Sequence, residues 1–258
     1  MIMDLKELNR NYWEGRADGY SEVNKEELAG VQREKWSRFL REEILSHFPE
    51  RNPDELSILD IGAGPGFLSI ILAEQGFVVT AADGSENMLS QARVNAGELA
   101  KKIRFEKADA ENLPFENESF DVILSRNLTW NLPHPKRAYE SWKKALKPGG
   151  IFLVFDANWY HYLIDDEKLK AYEADRTAVK EEGLEDYNIG ENFNIMEEIA
   201  EKLPMTEKIR PAWDKKVLYG MGATSVETYE NIGRRLYSKK ELVNYKATPL
   251  FMVKAVMK

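Results

Sequence analysis

Apolar positions follow two different textures along this chain. Over residues 1–50 they recur at helical spacing, with Trp36, Phe39, Leu40, Ile44 and Leu45 set among Arg and Glu, and predict helix until about Phe48-Pro49. Asn52-Pro53-Asp54 is turn chemistry. Beyond it, short apolar runs alternate with helix-like segments. The runs are 57–61, 77–82, 103–105, 120–124 and 151–155, and the segments between them include 67–75 and 135–146. Runs this short and this continuously apolar suit strands buried on both faces, joined by right-handed crossovers into a parallel sheet. The expected class is α/β.

After Phe155 the alternation stops. Residues 165–201 hold 13 Asp and Glu against 4 Lys and Arg. The stretch reads as an inserted helical cap or, equally well, as a solvated pair of surface helices. Strand-like text returns at 224–229 and 250–256, and no internal repeat or low-complexity linker is present.

Bulk properties narrow the function by exclusion. A length of 258 residues suits one large α/β domain with an elaboration, or two small domains. A formal charge of −8 argues against a general polyanion binder, so no nucleic-acid partner is expected. The absence of cysteine removes disulfides, thiolate metal sites and thiol nucleophiles, and no metal is expected. No apolar run approaches 18 residues and the N-terminus lacks an apolar signal core, so the expectation is a cytoplasmic protein without membrane insertion.

The sharpest local signal is Asp60-Ile61-Gly62-Ala63-Gly64-Pro65-Gly66, a strand running into a glycine-rich turn that opens a helix. Glycines permit positive φ and close approach of a ligand. Pro65 lacks an N–H, and Asp60 would repel a diphosphate while accepting hydrogen bonds from an ammonium group. Both details favour a ligand with an amino-acid end over a dinucleotide. Asp83 ends the next strand, 21 residues after Gly62, where a carboxylate can accept from ribose hydroxyls. Asp109 follows the third strand, placed to accept from an exocyclic amine while the Ala110 N–H reaches a ring nitrogen, or to cap a helix.

These motifs, with Asp83-Gly84-Ser85-Glu86-Asn87-Met88-Leu89, Ala108-Asp109-Ala110-Glu111-Asn112-Leu113-Pro114-Phe115, Phe120-Asp121-Val122-Ile123-Leu124-Ser125 and Leu146-Lys147-Pro148-Gly149-Gly150, resemble the class I S-adenosylmethionine-dependent methyltransferases, in particular the group that includes ubiquinone/menaquinone biosynthesis enzymes. The resemblance covers residues 10–156 well and the remainder poorly. It implies a Rossmann-like, seven-stranded, mostly parallel sheet whose last strand is antiparallel, with S-adenosylmethionine as cofactor. By position the turn of Gly62, Ala63 and Gly64 would hold its methionine part, Asp83 the ribose, and Asp109 and Ala110 the adenine, with Met88 packed nearby; Asp60 and Gly84 are also expected at the cofactor. Asn11 to Tyr20 looks like the family's N-terminal lid, with Tyr20 reaching the methionine end, or like plain helix amphipathicity. The implied division is a helical lid over 1–50, a cofactor-binding core over 51–156, a helical cap over 157–215 and final strands over 216–258.

The small-molecule methyl acceptor is expected between the loops after the fourth and fifth strands. Ser125 to His134 is more polar and aromatic than the resemblance leads one to expect. Its Arg126 either fastens cofactor or caps a helix, while Asn127 and Trp130 are candidate substrate contacts. Asp156 to Tyr162 supplies Asn158 and Trp159, an aromatic cluster suited to an aromatic or cationic ligand or to anchoring the cap. His134 and His161 are candidate bases, although a surface histidine is the commoner occurrence. Two other classes share part of the pattern. A nicotinamide-dependent oxidoreductase would use Asp83, but Asp60, Pro65 and Asp109 suit it badly. A non-catalytic S-adenosylmethionine-binding protein would keep the loop without an open acceptor pocket.

Overall fold

A computed structural model describes residues 4–189 and 193–258 of the chain. Its seven strands are β1 (Ser57–Ile61), β2 (Val78–Asp83), β3 (Ile103–Lys107), β4 (Phe120–Arg126), β5 (Leu146–Asp156), β6 (Ala223–Tyr229) and β7 (Phe251–Met257), hydrogen-bonded in the order β3-β2-β1-β4-β5-β7-β6. Pairing is parallel from β3 to β5, with Ile58 against both Val79 and Val122. β7 runs antiparallel to both its neighbours, Ile151 facing Val256. Strand order reverses direction between β1 and β4. That is where an open α/β sheet leaves a crevice at its carboxyl edge.

Alternate strand residues feed two apolar layers, as the two-residue period requires. Ile58, Val122, Leu124, Ile151, Leu153 and Phe155 pack on one face against Trp36, Phe39, Leu40 and Ile44 of α2 (Val31–His47) and the wholly apolar face of α3 (Phe67–Glu74). Leu59, Ile61, Ile123, Phe152 and Val154 pack on the other against Ala138, Tyr139 and Trp142 of α5 (Pro135–Ala145). α4 (Glu86–Ala96) follows β2 and is capped by Ser85, whose hydroxyl accepts from Met88 N.

The helical stretch expected over 1–50 consists of two helices, α1 (Leu5–Ala29) and α2, divided at Gly30, whose backbone is extended. A Cβ at Gly30 would lie 3.0 Å from the Glu26 carbonyl oxygen, a tight contact that a larger residue would have to relieve by a small shift. Between β5 and β6 stand α6 (Asp166–Glu181), α7 (Phe193–Ala200) and α8 (Ala212–Gly220). The helical span therefore runs past the expected end at 215. Residues 1–3 of the expected lid and 190–192 of the expected cap lie outside the described residues. Two short helices, α9 (Gly233–Leu236) and α10 (Lys239–Asn244), stand between the two final strands. α10 is fixed by a capping box in which Glu241 N donates to Ser238 Oγ and Ser238 N donates to Glu241 Oε2. Among the described residues, no helix is long and apolar enough to cross a membrane.

The insertion is tied to the sheet edge by a buried ionic cluster. Arg210, just before α8, donates to Asp156 Oδ2 at 2.5 Å, to both oxygens of Asp214 at 2.7 and 2.9 Å, and to Thr129 Oγ1 at 2.5 Å. Tyr139 donates to the same Asp214 at 2.6 Å. Asp156 and Asp214 are fully buried and Arg210 almost so. Removing one partner from such a cluster strands the others in low dielectric. Arg210→Ala is therefore expected to lower the unfolding free energy by about 3–5 kcal/mol, measured by urea denaturation. A loss below about 1 kcal/mol, the scale of an exposed pair, would show that the cluster does not anchor the insertion.

Candidate functional site

The turn after β1 is rigid before any ligand arrives. Gly62 N and Ala63 N both donate to Ala82 O, at 2.8 and 3.0 Å, and Gly66 N donates to Ala63 O at 3.0 Å. Gly64 N donates to Asp83 Oδ2 at 2.9 Å, and Pro65 has no N–H to give. Every N–H from 62 to 66 is thus occupied within the protein, so the loop offers no cradle of donors to a pyrophosphate. At Gly64, φ is +53° and nothing lies within 4 Å of a notional Cβ, which leaves open space beside the backbone.

Three carboxylates stand at the ends of the first three strands. Asp60 is buried, accepts from Ser69 Oγ at 2.6 Å, and is pushed by burial up to about 7. Among the described residues no cation forms an ion pair with it, and Arg126 acts on it only through longer-range charge, an environment that a ligand's ammonium group would complete. Asp83 accepts Gly64 N on one oxygen and Ser85 N on the other, and burial raises its pKa also. It therefore shapes the loop as well as facing the cavity. Asp109 accepts Glu111 N at 3.0 Å and the ammonium of Lys6 at 2.6 Å. Burial disfavours the charge on Lys6, but the hydrogen bonds and charges of Asp109 and Glu111 outweigh it and raise its pKa.

These groups line one cavity of about 930 Å³. All eleven residues expected at the cofactor border it: Tyr20, Asp60, Gly62, Ala63, Gly64, Asp83, Gly84, Met88, Asp109, Ala110 and Arg126. α1 forms its outer wall and is fastened along its length. Lys6 reaches Asp109, Asn9 Nδ2 donates to Asn131 O at 2.6 Å, Glu14 accepts from Ser85 Oγ at 3.0 Å, and Asp18 accepts from Gln91 at 2.8 Å. At its far end Glu27 takes both Arg126 amino groups, at 2.5 and 3.1 Å. Arg126 was expected to hold cofactor or cap a helix. It packs over Trp36 and Phe67, fastens α1 through Glu27 and borders the cavity.

Among the expected acceptor contacts, Asn127, Trp130 and Trp159 border the cavity. Both tryptophans depend on Asp156, whose Oδ2 accepts Trp130 N at 2.9 Å and whose Oδ1 accepts Trp159 Nε1 at 3.2 Å. Asn158 corrects the expectation: it does not border the cavity. Its amide is spent on the Arg210 backbone, donating to Arg210 O at 3.0 Å and accepting Arg210 N at 3.1 Å. The two candidate bases also stand outside. His134 lies against Glu111 on the outer surface, and His161 Nδ1 is 2.9 Å from Thr206 O. Neither ring borders the cavity.

Sequence reasoning missed a second set of lining residues. Glu27, Tyr187, Tyr237, Glu241 and Tyr245 all face the cavity from elements distant along the chain. Only Glu241 had a readable local signal, the Ser238-Lys239-Lys240-Glu241 capping box.

Comparison with known proteins accords with this geometry. Residues 59–154 match the family model described as a methyltransferase domain. The ubiquinone biosynthesis O-methyltransferase of Caulobacter vibrioides is 39% identical over 126 residues, 46% of this chain and 50% of that protein. The chain spans about half the length of the curated relatives it matches. In structure the chain is similar to an S-adenosyl-L-methionine-dependent methyltransferase of Methanococcus maripaludis, with a TM-score of 0.58, 20% identity, and 95% and 93% of the two chains covered. It is also similar to phosphoethanolamine N-methyltransferase 2 of Haemonchus contortus, solved with S-adenosyl-L-methionine, with a TM-score of 0.55, 20% identity, and 83% and 51% covered. At such identities the two structures show the shared fold.

Proposed function

We propose, from the match of residues 59–154 to a methyltransferase domain, that the chain transfers the methyl group of S-adenosylmethionine to an N, O or C nucleophile of a small molecule. One observation carries the reading: the carboxylates of Asp60, Asp83 and Asp109 share a single cavity with the loops after β4 and β5. Its volume suits a ligand pair, since sites for one drug-sized molecule start at about 300 Å³.

In this reading Asp60 accepts the cofactor's ammonium group, Asp83 the ribose hydroxyls, and Asp109 with the Ala110 N–H the adenine edge. Gly64 leaves room for the methionine chain, and Met88 packs beside the base. The turn at 62–66 has no donors left for a diphosphate, which disfavours a nicotinamide dinucleotide. S-Adenosylmethionine, when bound, supplies a methyl group already activated on a sulfonium. The protein's part is to exclude water and align the acceptor. α1 serves as lid, the helices between β5 and β6 as cap, and Trp130 and Trp159 as acceptor walls held by Asp156.

Calorimetry with S-adenosylhomocysteine and NAD tests the assignment. S-Adenosylhomocysteine is expected to bind, and NAD binding of equal strength would overturn the reading. Affinity for S-adenosylhomocysteine should also depend on pH through Asp60. An ammonium group pairs with the ionised carboxylate, so binding is full above pH 7 and weakens as pH falls through about 7. The slope should approach about tenfold per pH unit on the acid side, the limit for uptake of one proton. Asp60→Asn should bind more weakly and lose that dependence. A wild-type pH profile that is flat between 5.5 and 8 (on the order of one proton's titration range) would remove Asp60 from the ligand.

Asp83→Ala should weaken S-adenosylhomocysteine binding by about 1.5–3 kcal/mol, the scale for losing a charged acceptor. It should also lower the melting temperature, because Gly64 N and Ser85 N lose their partner. Unchanged affinity per folded molecule would make Asp83 purely a support of the loop.

A further inference from the structure

The acceptor end of the cavity has a chemistry of its own. Residues bordering the whole cavity include eleven Asp or Glu against five Lys or Arg. Asp60, Asp83 and Asp109 belong to the cofactor end. At the other end Arg126 confronts two carboxylates alone. Glu27 holds it in a two-bond pair, while Glu241 Oε1 stays 4.0 Å away. Glu241 Oε2 accepts Ser238 N at 2.7 Å and Gln32 Nε2 at 3.0 Å, and its Oε1 accepts no hydrogen bond among the described residues. Glu27 and Glu241 are each only 6% exposed. One guanidinium cannot neutralise both, and an uncompensated buried carboxylate is costly until a cation joins it.

Aromatic faces surround this surplus charge. Tyr245 follows Glu241 by one turn, and its N–H donates to Glu241 O at 2.9 Å. Its ring lies 5.1 Å from that of Trp159 and 6.2 Å from that of Tyr187, and all three rings border the cavity. Aromatic faces attract cations most strongly where water is excluded. A separate observation concerns hydrogen-bonding sense. Asn24, itself 7% exposed, and Asn127 both border the cavity, and each has a buried Oδ1 with no donor. A ligand rich in N–H groups supplies what these oxygens lack.

We infer that the acceptor is a small amine, bound as a cation against Trp159, Tyr187 and Tyr245 with an N–H directed to Glu241; this rests on the methyltransferase reading above. A carboxylate or phosphate compound would add negative charge beside Glu27 and Glu241. A phenol would bring one donor and would become an anion there on losing its proton. An amine gains from the Glu241 carboxylate, from the three aromatic rings and from the Asn24 and Asn127 oxygens. For transfer, the ammonium gives a proton to Glu241, which passes it to water. The freed nitrogen lone pair then forms a bond to the methyl carbon while the carbon–sulfur bond breaks and its electron pair stays on sulfur. The products are an N-methylated ammonium and the neutral thioether.

The test uses the full chain saturated with S-adenosylhomocysteine and three probes: 3,3-dimethylbutan-1-amine, which is an ammonium at neutral pH, its uncharged analogue 3,3-dimethylbutan-1-ol, and catechol. Calorimetry should show the amine binding about tenfold or more tighter than either neutral probe. Glu241→Gln should erase most of that preference while S-adenosylhomocysteine affinity stays within about threefold, or roughly 0.6 kcal/mol. Tyr187→Ala gives an independent check, should the capping box tolerate Glu241→Gln poorly. It should weaken the amine about fivefold and spare S-adenosylhomocysteine. Catechol or the alcohol binding as well as the amine, no amine binding, or unchanged amine affinity in a folded variant would each overturn the proposal. Failure of the wild type to bind S-adenosylhomocysteine would instead overturn the cofactor reading, so the two failures are distinct.

Discussion

Five donors converge on the carboxylate of Asp156, and the acceptor half of the cavity is organised around it. Oδ2 accepts Thr129 Oγ1, Trp130 N and Arg210 Nη1, and Oδ1 accepts Ala157 N and Trp159 Nε1. The residue ends β5, so its position is inherited from the most extensively paired part of the sheet. Through it the loop after β4, the loop after β5 and the start of α8 take fixed positions relative to one another. A neutral residue there would leave Arg210 as a buried cation facing Asp214 alone. Fully satisfied, such a network specifies one arrangement of loops whose sequences would permit several.

The cofactor end follows a different logic. Its geometry is short-range: strand, turn, helix, with Asp83 of the neighbouring strand closing the turn through Gly64 N. That is why it was legible in the sequence. Asp60, the glycines, Asp83 and Asp109 fall at strand ends that apolar runs alone locate, and all of them meet at the sheet's carboxyl edge. Strand limits shifted by only a residue or two, apart from β5, which starts at Leu146 because the Lys147-Pro148-Gly149-Gly150 stretch is drawn into the sheet.

The residues that escaped the sequence owe their roles to long-range pairing. Nothing around Glu27 announces that Arg126, 99 residues on, will be its partner. Asn158 sat beside two tryptophans in a loop pointed at the cavity, but a backbone segment 52 residues away claimed both ends of its amide. His134 was drawn outward because Glu111 receives both its N–H and its ring. In each case the deciding partner lies in another element, where periodicity and motif spacing carry no information. Gly30 is the opposite case. It was visible in the text, but a lone glycine in an amphipathic stretch is tolerated as often as it breaks a helix.

The closed hydrogen bonding of the 62–66 turn has a thermodynamic consequence. A loop whose N–H groups find their acceptors only on the ligand must order itself during association, and that ordering reduces the net binding free energy. Here the ordering cost falls on folding, shared with β2 through Ala82 O and Asp83. In the proposed reading, binding at this end proceeds with little loss of backbone entropy. The turn behaves as a mould of fixed shape.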